Sequence, residues 1–480
     1  MTPLTDHETR PRTLAEKLWD EHCIRDLGDG VDLILIDRVL LHERTGAVAL
    51  KSLEAAGRPV LAPHQAFCTM DHVVDTFPGR GDRTLMPTGG AFITATREAA
   101  LSAGIELFDL GDDRQGIVHV ISPEQGIVAP GLTLVCPDSH TCTQGAFGAL
   151  AWGIGSTETE HALATSTVRA RRPEPMLIAV HGRLEAGVTA KDLALHIIAA
   201  LSVSGARGRL IEFAGEAISA LDLDGRQTLC NMAAELAAFS AIIAPDEMVF
   251  NYLRGRPFAP SGADWDRAET RWRTLASDAG AAFAHTAAFE AAAVSPMVTW
   301  GVSPQHAIAV DGVVPSYDQL TRREAREAYD RALGYMDLAP GAPLTSLAID
   351  AAFIGSCTNS RIGDLRRAAR LLDGRKVAPG VRAICVPGSS SVKRQAEAEG
   401  LDRIFQAAGF EWRESGCSMC FFAGGESFGL RERVISTTNR NFESRQGPQT
   451  RTHLASPETV AASALAGRIA DPRPIPARAG

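Results

Sequence analysis

No apolar run in this 480-residue chain reaches the ~18 residues needed to cross a bilayer, so no transmembrane helix is expected. The opening MTPLTDHETRPRTLAEKLWDEH is polar and acidic, without the apolar stretch of a secretory signal. Clustered basic residues are missing as well. The net charge is −9 and Lys and Arg are scattered, which excludes electrostatic capture of nucleic acid or an anionic membrane surface. There is no GxxxxGK[ST] and no convincing GxGxxG, so nucleotide binding has no support. Cysteine is sparse: nine residues, an odd number spread over the chain, read as reduced thiols in a cytoplasmic protein rather than a disulfide framework. Aromatics are only 6% while glycine reaches 44 residues, which points to close backbone packing and many turns.

What is present is a succession of α/β segments. Residues 1–13 read as a loose tail. VDLILIDRVLL, the turn HERTG and AVALKSLEAAG form an early β–turn–α step. TLVCPDSHTCTQGAFGALAWGIGST is strand, polar loop and glycine-rich segment, with Thr157 and Glu160 spaced as a capping box for the next helix. The break RARRPEP separates a first α/β domain, 14–172, from a second, 173–294. A third, 295–480, includes the polar helix YDQLTRREAREAYDRAL. It then alternates LAIDAAFIG, RIGDLRRAARLL, VRAICVPG, VKRQAEAEGLDRIFQAAG and FEWRES, the pattern of a parallel sheet with helices on its faces. Ligands of such sheets collect beyond the carboxyl ends of the strands.

Three thiols fall at that rim: Cys357 in GSCTNS, and Cys417 with Cys420 in GCSMC. A CxxC alone allows a redox pair, half of a zinc site, or two inert buried thiols. Three cysteines with a vacancy suit a [4Fe–4S] cluster with one iron open to substrate. Cys357 precedes a helix, whose N-terminus is expected to favour its thiolate. Polar groups gather at other strand ends: Asp71 and His72 in TMDHVVDT, His119 in the strand-like QGIVHVISPEQG, and Asp138 and His140 in PDSHTCT. Each alone is more often a satisfied core polar group. Asp–His couples nevertheless suit delivery of a proton to a leaving hydroxyl. Glu212 sits in the apolar run RLIEF, where a carboxyl needs a partner or a shifted pKa. Arg440 and Arg445 in STTNRNFESRQG offer a bidentate clamp for a dicarboxylate, or two solvated arginines in a loop.

Taken together, DSHTCTQGAFGALAWGIGSTETEHALAT, FIGSCTNSRIGDLRRAARLLDGRKVAPGV, GCSMC and NRNFESRQG resemble the aconitase superfamily and, within it, the large subunits of the isopropylmalate dehydratases. The resemblance runs from about Thr13 to Pro474. It implies an α/β fold of three aconitase-like α/β/α domains around a central Fe–S cleft, without the swivelling fourth domain. It implies one [4Fe–4S] cluster per subunit on Cys357, Cys417 and Cys420, with Asp71, His72, His119, Asp138, His140 and Glu212 as catalytic residues. His72 with Asp71 would deliver the proton, and Glu212 would contact the iron-bound hydroxyl or water. His42, Asn439, Arg440 and Arg445 would bind substrate. His42 stands where aconitases proper carry glutamine and isopropylmalate dehydratases histidine.

The implied reaction is that of a hydro-lyase of leucine biosynthesis, dehydrating 2-isopropylmalate and rehydrating the alkene at the neighbouring carbon. In such relatives a serine alkoxide on the swivelling domain takes the carbon-bound proton. A separate small subunit of that type is therefore the expected partner, in a heterodimer or heterotetramer. The chain departs from the pattern at Gln144, at Pro137 and in the loop FFAGGESFGL after Cys420. These departures leave another 2-alkylmalate, citramalate or 2,3-dimethylmalate, as the alternative substrate. A non-catalytic iron sensor or scaffold is the alternative of another class, opposed by the acidic charge and the intact site residues.

Overall fold

The computed structural model describes residues 10–320, 326–422 and 425–475. Two five-stranded parallel sheets carry its architecture. The first runs in spatial order Glu106–Phe108, Ala66–Thr69, Arg38–His42, Thr133–Cys136 and Leu150–Gly153. The second runs Phe410–Trp412, Arg382–Cys385, Ala351–Ile354, Arg433–Ser436 and Arg451–Leu454. Both sheets wind the same way. The chain starts at the central strand, builds outward to one edge, then returns to build the other. Each thus has a switch point beside its central strand, where loops diverge and leave a crevice.

Between them in the sequence comes a four-stranded parallel sheet of Ser240–Ile242, Arg209–Ala214, Glu174–His181 and His285–Glu290. One continuous core joins this sheet to the first, from Trp19 and Leu134 through Phe147 to Ile211 and Leu229. Gly145 permits that approach, because a Cβ there would lie 1.7 Å from the Ala241 carbonyl oxygen. The later sheet keeps its own core, where helix Ile362–Leu372 buries Leu365, Ala368 and Leu372. Each such leucine contributes about 1.5–3 kcal/mol through burial.

Several local expectations are revised. VDLILIDRVLL is two strands, Val31–Leu35 and Arg38–His42, in different sheets. The helix after GIGST starts at Ser156, because Glu158, not Glu160, accepts from the Gly155 N–H at 2.9 Å. QGIVHVISPEQG forms a short helix, Val118–Glu124, rather than a strand. Its first N–H, on Val118, is satisfied by the Asp71 carboxylate at 2.9 Å. VKRQAEAEGLDRIFQAAG divides into helices Ser390–Ala398 and Leu401–Ala408 at Gly400, whose φ of 76° ends the first. Residues 321–325 of the expected polar helix lie outside the described residues, and Arg326–Met336 is helical. Residues 1–9 of the expected tail likewise lie outside them.

Candidate active site

The two switch points face one cavity of about 250 Å³. The first sheet supplies His42, Arg44 and Thr45 after its central strand, His72 after Ala66–Thr69, and Pro137, Asp138 and His140 after Thr133–Cys136. The later sheet supplies Cys357 after its central strand, Cys417, Cys420 and Phe421 after its edge strand, and Arg440 and Arg445 after Arg433–Ser436. His119 enters from the short helix. A larger cavity of about 650 Å³, lined by Leu184, Val188, Arg367 and Leu371, holds none of these groups. Size alone gives it no chemistry.

Histidines and carboxylates alternate along one wall. Asp71 is fully buried and its Oδ1 lies 2.5 Å from Nδ1 of His72. The other ring nitrogen, Nε2, lies 3.4 Å from Asp138. Burial alone would lower the His72 pKa. The charges of Asp71 and the Cys417 sulfur, with hydrogen bonds to Asp138 and Asp71, instead raise it well above the usual imidazole value. Asp138 also takes His119 Nε2 at 3.0 Å and the His140 N–H at 2.7 Å. Burial pushes its pKa up, but the hydrogen bonds from these histidines hold it well below the carboxylate range. His42 stacks on His72 with ring centroids 4.0 Å apart. Burial and the neighbouring His72 charge push its pKa down to about 4, so His42 is neutral.

Glu43 has no exposed surface and receives the consecutive N–H groups of Asp71 (2.9 Å), His72 (2.7 Å), Val73 and Val74 (3.3 Å). It clasps the turn that presents the Asp–His couple. Burial and the Asp71 charge raise its pKa to about 7. His42, Glu43, Asp71 and His72 bring metal-type donor atoms within 4.8 Å of one another. The hydrogen bonds just described already occupy the Glu43 carboxylate and the Asp71–His72 couple.

The three thiols are free and buried, and the sulfurs of Cys357 and Cys420 are met by N–H donors, while that of Cys417 lies 3.9 Å from Asp71 Oδ2. Cys357 Sγ accepts from Asn231 Nδ2 at 3.2 Å and Asn439 Nδ2 at 3.5 Å. Cys420 Sγ accepts from Arg445 Nη2 at 3.7 Å. Such donors match anionic sulfur and tune iron–sulfur clusters. A single zinc with bonds of ~2.3 Å would draw its sulfurs to about 4 Å of one another. Among the described residues the three thiols do not form a group of donor atoms all within 4.8 Å of one another. Helix Ile362–Leu372 begins five residues after Cys357 rather than directly at it. Burial and the Cys420 charge instead push the Cys357 thiol up to about 12. Metal binding must therefore displace the proton.

Glu212 is not part of this group. Both of its oxygens accept from Ser277 Oγ, at 2.8 and 2.7 Å, on the strand that faces helix Leu14–His22. Burial raises its pKa, so an altered acid in an apolar run was the right signal for burial and the wrong one for the site. The glutamate that touches cavity-lining groups is Glu235, which lies 3.0 Å from His140 Nε2 and 2.8 Å from Arg440 Nε. Burial would raise its pKa, and its bonds to His140 and Arg440 lower it. Glu235, Glu43 and Asn231 were all missed. The same criterion, an acid within an apolar segment, would have found NMAAEL and LLHER. Arg44 was missed too; its guanidinium lies 4.6 Å from the centroid of the Phe421 ring at the cavity wall. Asn439, expected to bind substrate, instead donates to Cys357 Sγ and is not among the residues lining the cavity. Pro137 accepts from His42 Nε2 at 3.4 Å, and Gln144 donates to the His119 carbonyl at 3.1 Å. Both departures touch histidines of the wall.

A model of the aconitase family (aconitate hydratase) matches residues 16–467. The chain is 50% identical over 466 residues to a protein of Bradyrhizobium diazoefficiens named 3-isopropylmalate dehydratase large subunit 1, covering 97% of each chain. It is also 50% identical over 468 residues to the 3-isopropylmalate dehydratase large subunit of Roseiflexus castenholzii, covering 96% of this chain and 99% of that relative.

Proposed function

The chain belongs to the aconitase family, and from that premise we propose that it is the large, catalytic subunit of a hydro-lyase interconverting 2-isopropylmalate and 3-isopropylmalate in leucine biosynthesis. The observation that carries this reading is the meeting of three thiols, two Asp–His couples and two arginines at one cavity. Cys357, Cys417 and Cys420 would hold one [4Fe–4S] cluster, which supplies a Lewis-acidic iron with an open position.

The chain's own groups then divide the remaining work. Arg440 and Arg445 bind the two carboxylates, and Glu235 fixes the guanidinium of Arg440. His72, kept protonated by Asp71, holds its mobile proton at Nε2. That proton passes to the departing hydroxyl, which leaves as water. Asp138 steers His72, His119 and His140 from one point. Elimination also requires a base for the proton on the neighbouring carbon. Asp138 is committed to three histidines and Glu235 to His140 and Arg440. We assign that base to a separate small subunit, the partner that the relatives' name, large subunit, implies.

Anaerobic reconstitution of the chain with iron, sulfide and a small subunit, followed by a panel of 2-isopropylmalate, citramalate and 2,3-dimethylmalate, tests the reading. Turnover of 2-isopropylmalate above the other two supports it. Inactivity on all three breaks it.

A further inference from the structure

Lys191 is the second residue of helix Ala190–Leu201 and has no exposed surface. Its position is unfavourable twice over. A buried ammonium loses its hydration, and a cation in a helix's first turn opposes the dipole. No carboxylate lies within ion-pair distance of its nitrogen among the described residues. Nζ instead donates to the carbonyls of Thr437 at 3.0 Å and Thr438 at 2.6 Å, and to the Met232 sulfur at 3.7 Å. Burial lowers its pKa to about 7, and Cys357 heads the groups that oppose the drop.

The identity of those neighbours matters. Met232 follows Asn231, and Thr438 precedes Asn439; these two asparagines donate to Cys357 Sγ. One residue further on, Arg440 enters the cavity. A single ammonium therefore joins both segments that meet the Cys357 sulfur, one from each side, and anchors the turn that delivers a carboxylate-binding arginine. A methionine of similar length would fill the space without the desolvation cost, but would take the shared donor away from both carbonyls and so release the turn.

We propose that Lys191 is a positioning residue that pins Thr437–Thr438, and through them Asn439 and Arg440, and whose positive charge acts on the Cys357 sulfur. The inference rests on the cluster reading above. Lys191→Met and Lys191→Arg variants of the full chain, reconstituted with the small subunit, test it. Two readouts go beyond turnover itself: the reduction potential of the bound cluster and the split between KM and kcat. For Lys191→Met the potential is expected to move negative, since a nearby cation favours the reduced cluster, and KM to rise about 10-fold with a smaller loss in kcat. Lys191→Arg is expected to restore the potential and only part of the KM. A Lys191→Met enzyme with wild-type potential and KM, whatever its melting temperature, overturns the proposal. If Lys191→Met does not fold, Lys191→Arg still decides: a negative shift in a variant that keeps the charge contradicts it. Should the wild-type chain itself hold no cluster, the functional reading fails before the variants are compared.

Discussion

The backbone N–H of Cys417 donates to the carbonyl oxygen of Asp71 at 2.8 Å. Two residues 346 apart in sequence, one a thiol of the later sheet and one the carboxylate that pairs with His72, the proposed proton donor, are thereby fixed against each other. The Cys417 Sγ also lies 3.9 Å from Asp71 Oδ2. Thiol site and acid–base couple form one unit, so a change in either is felt by both.

Asp71→Asn removes the charge that keeps His72 protonated. The sign is definite: His72's folded-state pKa is raised, so the wild-type donor persists above the usual imidazole range. In the variant the alkaline limb of kcat/KM is expected to move to lower pH, and the rate at neutral pH to fall ~100-fold or more. A pH–rate profile of both enzymes checks it; an unmoved limb assigns the proton donor elsewhere.

Glu43→Gln addresses the clasp on the same turn. The folded pKa of Glu43 is about 7 against an ordinary 4.5. A raised carboxyl pKa contributes stability that is fully present below pH 4.5 and lost as pH rises through 7. The melting temperature of the wild type relative to Glu43→Gln should therefore decline across that window. A constant difference would contradict the assignment.

Glu235→Gln and Glu212→Gln form a matched pair. Glu235 touches His140 and Arg440, so its variant is expected to raise KM about 10-fold or more. Glu212 touches Ser277 and faces away from the cavity. Its variant should keep wild-type kcat/KM and, since burial raises the Glu212 pKa and glutamine keeps an acceptor for Ser277, lose no stability at neutral pH. Steady-state kinetics and denaturant titration of the two separate the roles.

That pair also marks what was readable in the sequence. The parallel α/β layers, the three thiols and the Asp–His couples were legible, because strand periodicity and the 2-residue spacing of Asp138 and His140 are local signals. The choice between Glu212 and Glu235 was not. Both are acids in apolar segments, and only tertiary packing decides which one meets His140. Glu43 was hidden for a related reason, since its partners are the backbone N–H groups of a turn 28 residues later. His119 was placed on the right wall but in the wrong element, because the Asp71 carboxylate that starts its helix is remote in sequence.

Asn231→Ala removes one N–H donor from the Cys357 sulfur. Faster oxidative loss of the cluster is expected, with little change in the fold of the metal-free chain. Iron and sulfide content followed over hours in air, beside far-ultraviolet circular dichroism, measures both. A cluster as durable as the wild type's would remove Asn231 from the site's support.

The most direct test of the account is the metal content of the anaerobically reconstituted chain, read with its visible spectrum. Four iron and four sulfide per chain are expected, with a brown absorption lost in Cys357→Ser, Cys417→Ser and Cys420→Ser alike. The buried Cys142, which lies outside the cavity lining, should be replaceable by serine without that loss. One tightly held zinc per chain, and no visible absorption, would contradict it.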